Sequence, residues 1–213
     1  MMENPVLSSA DRQRVHQAIA AAEARTSGEI FCVLARRSDD YFFPAAFMLA
    51  TGILITGVIA ALALERLWAD IGLAAFALSQ ATAFAAALAV IWLFPALRLH
   101  LVPRGLRYRR AHDNAVKQFL AHNVHRTDGR TGVLVFLSLA ERYGEIVADA
   151  GIATKVAQKN WDDAVARLTA CAAEARIADG FVDAVGFAAD LLAPHFPKGA
   201  DNPNELDDHL VEL

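Results

Sequence analysis

The chain has 213 residues, of which 55% are hydrophobic, and a formal net charge of −4 at pH 7. This nearly neutral balance, with no basic excess, argues against nucleic acid as a partner. The length suffices for one domain with a substantial core beside a membrane segment.

The first predicted elements are a helix over 8–25 and a strand over 29–35. Ser8 and Asp11 fit a capping box at the start of the helix. Gly28, at its end, suits a left-handed turn. The strand is apolar on both faces, which is typical of an internal strand covered by helices on both sides. Within it, Cys32 is expected to act as a small buried hydrophobe rather than to form a disulfide with Cys171.

Two uncharged stretches come next, over 42–64 and 71–97. Each has at least the roughly 20 apolar residues that cross a bilayer core. They predict a two-helix transmembrane hairpin over 42–97. Gln80, in the second span, is expected to form a hydrogen bond between the two helices of the hairpin rather than to contact a substrate.

The distribution of basic residues predicts the orientation of this hairpin. Arg36 and Arg37 precede it, and only Arg66 lies in its loop. The predicted membrane-interface residues are Arg98, Arg104, Arg107, Arg109 and Arg110 after the second span, with Trp68 and Trp92 as aromatic anchors. By the positive-inside rule both arms are cytoplasmic in a bacterial plasma (inner) membrane. The basic run also suits anionic lipid head groups, and no signal-peptide pattern precedes the hairpin.

The second arm predicts a helix over 106–122 and two strands over 131–138 and 145–149, paired as a hairpin. The second strand is more polar and therefore nearer a sheet edge. Two amphipathic helices come after it, one beginning near Asn160 and one near Asp179. The last segment, 198–213, is predicted to be a solvated, mobile acidic tail.

These elements predict an α/β fold in which a small sheet carries helices on its faces. The strand at 29–35 is too apolar to be exposed, so it requires partners from the second arm. We therefore expect one discontinuous domain, made of 1–41 and 98–197. The membrane hairpin, 42–97, interrupts it.

Three segments resemble the TPM domain family in its membrane-hairpin branch. Ala20–Ile30 is similar to the family's first helix and strand, and Thr131–Tyr143 to its central hairpin. Glu145–Ile152 and Trp161 continue the match. The resemblance implies an α/β/α sandwich around a short mixed sheet. Some members are described as acid phosphatases, and some bind calcium or another divalent cation through clustered aspartates. Here Glu141-Arg142 stands where the family usually has Asp-Arg, and Asp149–Ile152 replaces Gly-Tyr-Gly-Leu.

Two sets of residues are candidates for a metal site. Glu141 and Asp149 flank the predicted hairpin and can supply carboxylates to a hard cation; turn chemistry for Glu141 and helix capping by Asp149 are the alternatives. His122 and His125, with Asp128, have the spacing of ligands on one helix face, but further zinc ligands at close spacing are missing. We therefore favour a polar helix end as the interpretation of these histidines.

The first functional hypothesis is a membrane-anchored binding or scaffold module without chemistry of its own. Its partners are the lipid bilayer and a membrane or cytoplasmic protein. The second hypothesis is a phosphatase dependent on a divalent metal, such as calcium, held by Glu141 and Asp149. The absence of a glycine-rich phosphate loop leaves the second hypothesis without a phosphate clamp.

Overall fold

The computed structural model describes residues 5–68, 71–127, 129–199 and 209–213. These residues form a mixed α/β structure with two compact units. One unit combines Met1–Ser38 with Tyr108–Leu213, and the other is Asp39–Arg107.

In the described part of the chain, the helices are interspersed with four strands. The α-helices are α1 (Ser9–Glu23), α2 (Phe42–Arg66), α3 (Leu73–Leu93), α4 (Pro95–Leu101), α5 (Arg104–Ala121), α6 (Ala150–Ala153), α7 (Lys159–Ala173) and α8 (Ile177–Leu192), with a 3-10 turn at Val124–Arg126. The strands are β1 (Glu29–Ala35), β2 (Gly132–Ser138), β3 (Tyr143–Ala148) and β4 (Leu210–Glu212).

The strands form one mixed sheet in the order β3-β2-β1-β4. β1 and β2 are parallel, with Glu29 opposite Gly132 and Ala35 opposite Ser138. β3 runs antiparallel to β2 and lies at one edge of the sheet, which confirms both the predicted hairpin and the edge position. The predicted strand at 29–35 is confirmed residue for residue.

Both faces of the sheet are covered, as the two-sided apolar pattern of β1 predicts. Ile30, Cys32 and Leu34 belong to a core cluster with apolar residues of α1, α7 and α8. Phe31 and Val33 belong to a second cluster that includes Ala115 and Phe119 of α5. Because side chains alternate along a strand, the β1 side chains on both faces of the sheet are buried. Both cysteines are buried and free.

Hydrogen bonds fix both ends of α1, at its N-terminal cap and at the turn into β1, where the partner is distant in sequence. Ser8 caps α1 by accepting from the backbone N–H of Asp11, as predicted. The Thr26 hydroxyl donates to the Phe196 carbonyl at 2.6 Å. The left-handed turn predicted at Gly28 is wrong, because no described glycine has a positive φ. Gly28 instead permits close packing: a Cβ there would lie 2.7 Å from Leu192 Cδ1.

The C-terminal segment corrects the prediction of a mobile tail over 198–213. Leu210–Glu212 forms β4, which pairs in parallel with Cys32–Leu34 of β1. Strand edges present unpaired N–H and C=O groups, and this segment satisfies those of β1. Residues 200–208 lie outside the described part of the chain.

In the second unit, α2 and α3 are both long and apolar enough to cross a membrane, by length and composition. Only 6% of the most hydrophobic stretch of each helix is buried. The predicted second span, 71–97, is interrupted: α3 ends at Leu93, and Pro95 begins α4. Proline lacks the N–H needed to continue the helix, and it suits the first turn of the next one.

Candidate functional site

The carboxyl ends of β1 and β2 lie side by side, because these strands are parallel and in register. In open α/β sheets, ligands bind in the crevice at the carboxyl ends of such strands. The residues gathered there are Ser38, which follows β1, and Ser138, Glu141 and Arg142, which end or follow β2. We call these four residues the strand-end cluster.

Glu141, the first predicted metal ligand, is buried in this cluster with 3% of its surface exposed. Its Oε1 accepts from the Ser38 backbone N–H at 3.1 Å, and its Oε2 accepts from the Ser138 hydroxyl. The Ser38 hydroxyl donates in turn to the Ser138 Oγ at 2.9 Å. Glu141 therefore ties the segment after β1 to the turn after β2, as a buried carboxylate requires.

A cavity of about 380 Å³ opens beside the cluster. It is lined by Leu137, Ser138, Leu139, Arg142, Thr169, Ala172, Ala173, Ala175 and Ile177. Arg142 and Ala175 both have left-handed backbones, with φ of 52° and 60°. Non-glycine residues rarely adopt this conformation, and such positions concentrate at ligand sites. A mainly apolar cavity with one guanidinium and two hydroxyls suits a ligand with an apolar body and an anionic group.

Asp149, the second predicted metal ligand, lies at the other end of β2. Its backbone N–H donates to the Gly132 carbonyl at 2.9 Å, and its Oδ1 accepts from the Ala150 N–H at 2.6 Å. The side chain thus caps α6, which is the alternative to metal binding given above for Asp149. Its Oδ2 is buried without a hydrogen-bond partner among the described residues.

The register of the hairpin keeps the two predicted ligands apart. Ser138 pairs with Tyr143 at one end of the hairpin, and Val133 pairs with Ala148 at the other. At about 3.3 Å per residue, these ends are separated by roughly 17 Å along the strands. A divalent cation binds oxygen at about 2.0–2.6 Å. One ion therefore has no position within reach of both Glu141 and Asp149.

The predicted histidine cluster is also divided. α5 ends at Ala121, and Asn123, with φ of 57°, separates it from the next turn. His122 and His125 therefore do not lie on one helix face, so the shared face expected from their spacing is wrong. Asp128 lies outside the described residues. The His122 ring stacks on Phe31 at 4.6 Å, whereas His125 lies 6.3 Å from Phe119. Within the described ranges, no three metal-binding side chains cluster.

Burial lowers the pKa of His122, and the nearby His209 lowers it further. The His209 ring also contacts Phe31, the residue on which His122 stacks, with 6.0 Å between the ring centres. The last described segment of the chain therefore meets the end of α5 through two histidines and one phenylalanine.

A second polar cluster was not predicted from the sequence. Glu145 of β3 is 2.9 and 3.0 Å from His112 Nδ1 of α5 through its two oxygens. The Tyr143 hydroxyl donates to Glu145 Oε2 at 2.9 Å, and the Tyr108 ring lies 5.2 Å from that of Tyr143. Burial, followed by the contact with Glu145, raises the pKa of Tyr143. The local sequence signal for this cluster is residue spacing. Tyr143 and Glu145 are two apart on a strand, and Tyr108 and His112 are four apart on a helix, so each pair lies on one face.

The chemistry of this second cluster is that of an oriented imidazole. Contact between Glu145 and Nδ1 leaves Nε2 of His112 as the free ring nitrogen. The His112 side chain is 51% exposed and that of Glu145 only 19%. Two groups alone form no coordination sphere, and the cluster is far along β3 from Asp149.

The predicted interface residues differ in their surroundings. Arg98 is not a free interface cation: its Nε donates to the Ile91 carbonyl at 2.8 Å, and its guanidinium lies 5.2 Å from the centre of the Phe42 ring. It thus stabilises the break between α3 and α4. Trp68 and Trp92 are 94% and 68% exposed. Arg104, Arg109 and Arg110 are exposed, and Arg107 is partly buried.

Comparison with known proteins adds evidence on the fold alone. No family model matches the sequence, and no curated protein does. The NMR structure of BA42 protein from the psychrophilic bacterium Bizionia argentinensis is similar, with a TM-score of 0.60 and 18% identity. The similarity covers 100% of this chain and 99% of that chain. At this identity, it supports the α/β architecture and carries no inference about activity.

Proposed function

We propose that this chain is a TPM-like α/β/α sandwich interrupted by a two-helix transmembrane hairpin. It acts as a binding or scaffold module at the surface of a bacterial inner membrane. The observation that carries this proposal is the pair of long apolar helices α2 and α3, most of whose apolar side chains are exposed. Phe43, Leu54 and Leu62 are 81%, 68% and 61% exposed.

Large contiguous apolar patches are rare on soluble monomers and mark protein or membrane interaction sites. The transfer of apolar area from water contributes about 25 cal/mol per Å². A bilayer covers both helices along their whole length, since each has about 20 residues or more. Lipid is therefore the cover that matches the length, composition and exposure of α2 and α3.

A binding role is supported by the cavity beside the strand-end cluster. Its volume of about 380 Å³ suits a small ligand or a few side chains of a partner. Arg142 supplies positive charge at its lining, while Leu137, Leu139 and Ile177 supply apolar surface. A membrane or cytoplasmic protein that presents an apolar side chain beside a carboxylate matches this lining.

The phosphatase alternative gains no such support. A metal-assisted phosphatase uses a cation to bind phosphate and activate water. The carboxylates expected to hold that cation, Glu141 and Asp149, lie at opposite ends of β2 and have structural partners. Hydrolysis of a phosphomonoester by the purified protein, with and without calcium or magnesium, tests this alternative. Asp149→Asn retains a good helix cap and so separates catalysis from folding.

The membrane part of the proposal is tested by labelling. Leu67→Cys, in the loop between α2 and α3, is expected to react with an impermeant maleimide from outside the cell. Arg104→Cys is the matched control and should react only after the membrane is permeabilised. The native Cys32 and Cys171 are buried and give a low background. Labelling of Leu67→Cys from the cytoplasmic side alone, or recovery of the protein in the soluble fraction, contradicts the proposal.

The binding part is tested by blocking the cavity. A photo-reactive residue at Ala173, in the cavity lining, is expected to cross-link a partner in intact cells. Thr169→Trp fills the cavity and should abolish that product. Ala166→Trp, on the exposed side of the same helix α7, is the control and should preserve it. Equal cross-linking by both variants contradicts a binding role for this cavity. Phosphatase activity that Asp149→Asn abolishes contradicts instead the proposal of a module without chemistry of its own.

A further inference from the structure

A groove runs between α2 and α3 within the second unit. Its volume is about 560 Å³. It is lined by Ala50, Ile53, Leu54, Gly57, Val58, Ala61, Phe76, Gln80, Ala81 and Phe84. Gln80 is the residue in this lining whose side chain carries both a hydrogen-bond donor and an acceptor.

The Gln80 amide is packed against α2 at Gly57. A Cβ at position 57 would lie 2.8 Å from Gln80 Oε1 and 3.2 Å from Nε2. Glycine is therefore required for the amide to occupy this place. The contact with α2 that the sequence predicts is present, but the predicted hydrogen bond within the hairpin is not: among the described residues, the amide has no hydrogen-bond partner.

Neighbouring hydroxyl groups in these helices behave differently. Thr51 donates to the Phe47 carbonyl, Thr56 to the Gly52 carbonyl and Ser79 to the Phe76 carbonyl, each within its own helix. A glutamine amide without a partner is costly in hydrocarbon, since no water compensates it. A partner for the Gln80 amide must therefore come from outside this hairpin.

We propose that a second copy of this chain docks on the α2–α3 groove, with the two Gln80 amides hydrogen-bonded to each other near a two-fold axis. The proposal rests on the membrane insertion proposed above. In a two-fold interface the same surface meets itself, so its polar groups must be self-complementary. A primary amide meets this condition, because its carbonyl accepts from the NH₂ of the other copy and its own NH₂ donates in return.

A lipid chain is the competing occupant of the groove. An acyl chain fills apolar volume, but it has no group that donates to Oε1 or accepts from Nε2 of Gln80. Polar side chains that hydrogen-bond across helices stabilise association in membranes. A second copy therefore supplies the hydrogen-bond partner for the Gln80 amide that a lipid chain lacks.

The experiment uses the full chain in liposomes, with dimerisation measured by energy transfer between labelled copies over a range of protein-to-lipid ratios. Gln80→Leu keeps the approximate size of the side chain and removes the amide. Its dimer is expected to dissociate about tenfold more readily, or more, the scale of one or two lost hydrogen bonds. Gln80→Asn should restore part of the affinity. Ser79→Ala, which removes a hydroxyl bonded within α3, should leave dimerisation unchanged.

Disulfide cross-linking identifies the face. Ala81→Cys, in the groove lining, should cross-link between copies, whereas Leu78→Cys, outside the lining, should not. Inserted protein that stays monomeric at every ratio, dimers equally strong in Gln80→Leu, or cross-links through position 78 alone would each overturn the proposal. Failure to enter liposomes instead contradicts membrane anchoring, so the two failures are distinguished by flotation with the vesicles.

Discussion

Arg12 and Glu212 form an ion pair that joins the first helix to the last strand, with 2.8 Å between Arg12 Nε and Glu212 Oε1. The other carboxylate oxygen of Glu212 accepts from the Val6 backbone N–H at 2.7 Å. The Glu212 side chain is only 15% exposed, so solvent screens this contact less than an ordinary surface pair. These contacts hold the three-residue strand β4 against β1.

Glu212→Gln is expected to lower the free energy of unfolding by about 1 kcal/mol, since hydrogen bonds to charged groups contribute about 1.5–3 kcal/mol and the amide retains part of them. Chemical denaturation followed by circular dichroism measures the change. Glu174→Gln is the control, because its ion pair with Arg176 is exposed on both sides and contributes little. Equal effects of the two substitutions would show that β4 is not held by Glu212.

The docking of the C-terminal segment is expected to weaken in acid. The folded-state pKa of His122 lies below its ordinary value, so the folded chain disfavours its charged form. Stability is therefore unaffected by this group above the ordinary histidine pKa of about 6.5 and falls as the pH decreases through that value towards the lower folded-state pKa. The nearby His209, whose ring contacts the same phenylalanine, lowers the pKa of His122 further.

The measurement compares the free energy of unfolding at about pH 7.5 and about pH 5.5, on either side of that ordinary value. His122→Phe should flatten the dependence, because a phenyl ring stacks on Phe31 and does not titrate. His16→Phe, on the exposed side of α1, is the control for a histidine without these contacts. An unchanged slope in His122→Phe would assign the acid sensitivity to other groups.

Ala175→Gly is expected to stabilise the protein by about 0.5–1 kcal/mol. α7 ends in a Schellman motif: the Arg176 N–H donates to the Cys171 carbonyl and the Ala175 N–H to the Ala172 carbonyl. Ala175 occupies the position that usually requires glycine, and its left-handed backbone costs about 1–2 kcal/mol. The greater entropy of glycine in the unfolded chain offsets part of that gain. Thermal unfolding measures it.

The matched control is Ala173→Gly, in the last turn of α7, where glycine is expected to destabilise by about 0.5–1 kcal/mol. Opposite signs for the two substitutions are required. Loss of stability in Ala175→Gly would mean that the alanine methyl group makes packing contacts that outweigh the backbone strain.

A fragment of residues 98–213 is expected not to fold. β1 lies between β2 and β4 in the sheet, so its removal separates the two and exposes the apolar residues of both faces. The fragment should lack a cooperative unfolding transition and should bind hydrophobic dyes. Addition of a peptide covering residues 5–38 should restore structure if the missing strand is the cause. A cooperative melt of the fragment alone would contradict this prediction.

Local patterns accounted for much of the fold. The two-sided apolar run at 29–35, the capping residues of α1 and the hairpin of β2 and β3 depend on neighbours in sequence, and each is found as predicted. The glycine at position 28 shows the limit of that approach. Its role comes from Leu192, which no local pattern brings to the same turn.

The candidate site was less accessible to sequence reasoning. Glu141 was recognised, but its partner Ser38 follows β1, about a hundred residues earlier in the chain, and only the pairing of β1 with β2 brings the two together. The contact between His112 and Glu145 requires α5 to pack across β3. Such contacts depend on how elements distant in sequence pack together. The periodicity of hydrophobic residues within one element contains little information on that packing.

By itself, the sequence determined where the apolar faces lie, because burial follows from composition and from the periods of helix and strand. It therefore specified a covered strand, a pair of long uncharged helices and an α/β pattern. Only the tertiary structure decided which polar groups meet. It placed Glu141 and Asp149 at opposite ends of one strand and brought Glu212 to Arg12. Register and packing between distant segments set those distances. Because Glu141 and Asp149 lie one strand length apart, they act as two separate structural carboxylates and do not share an ion.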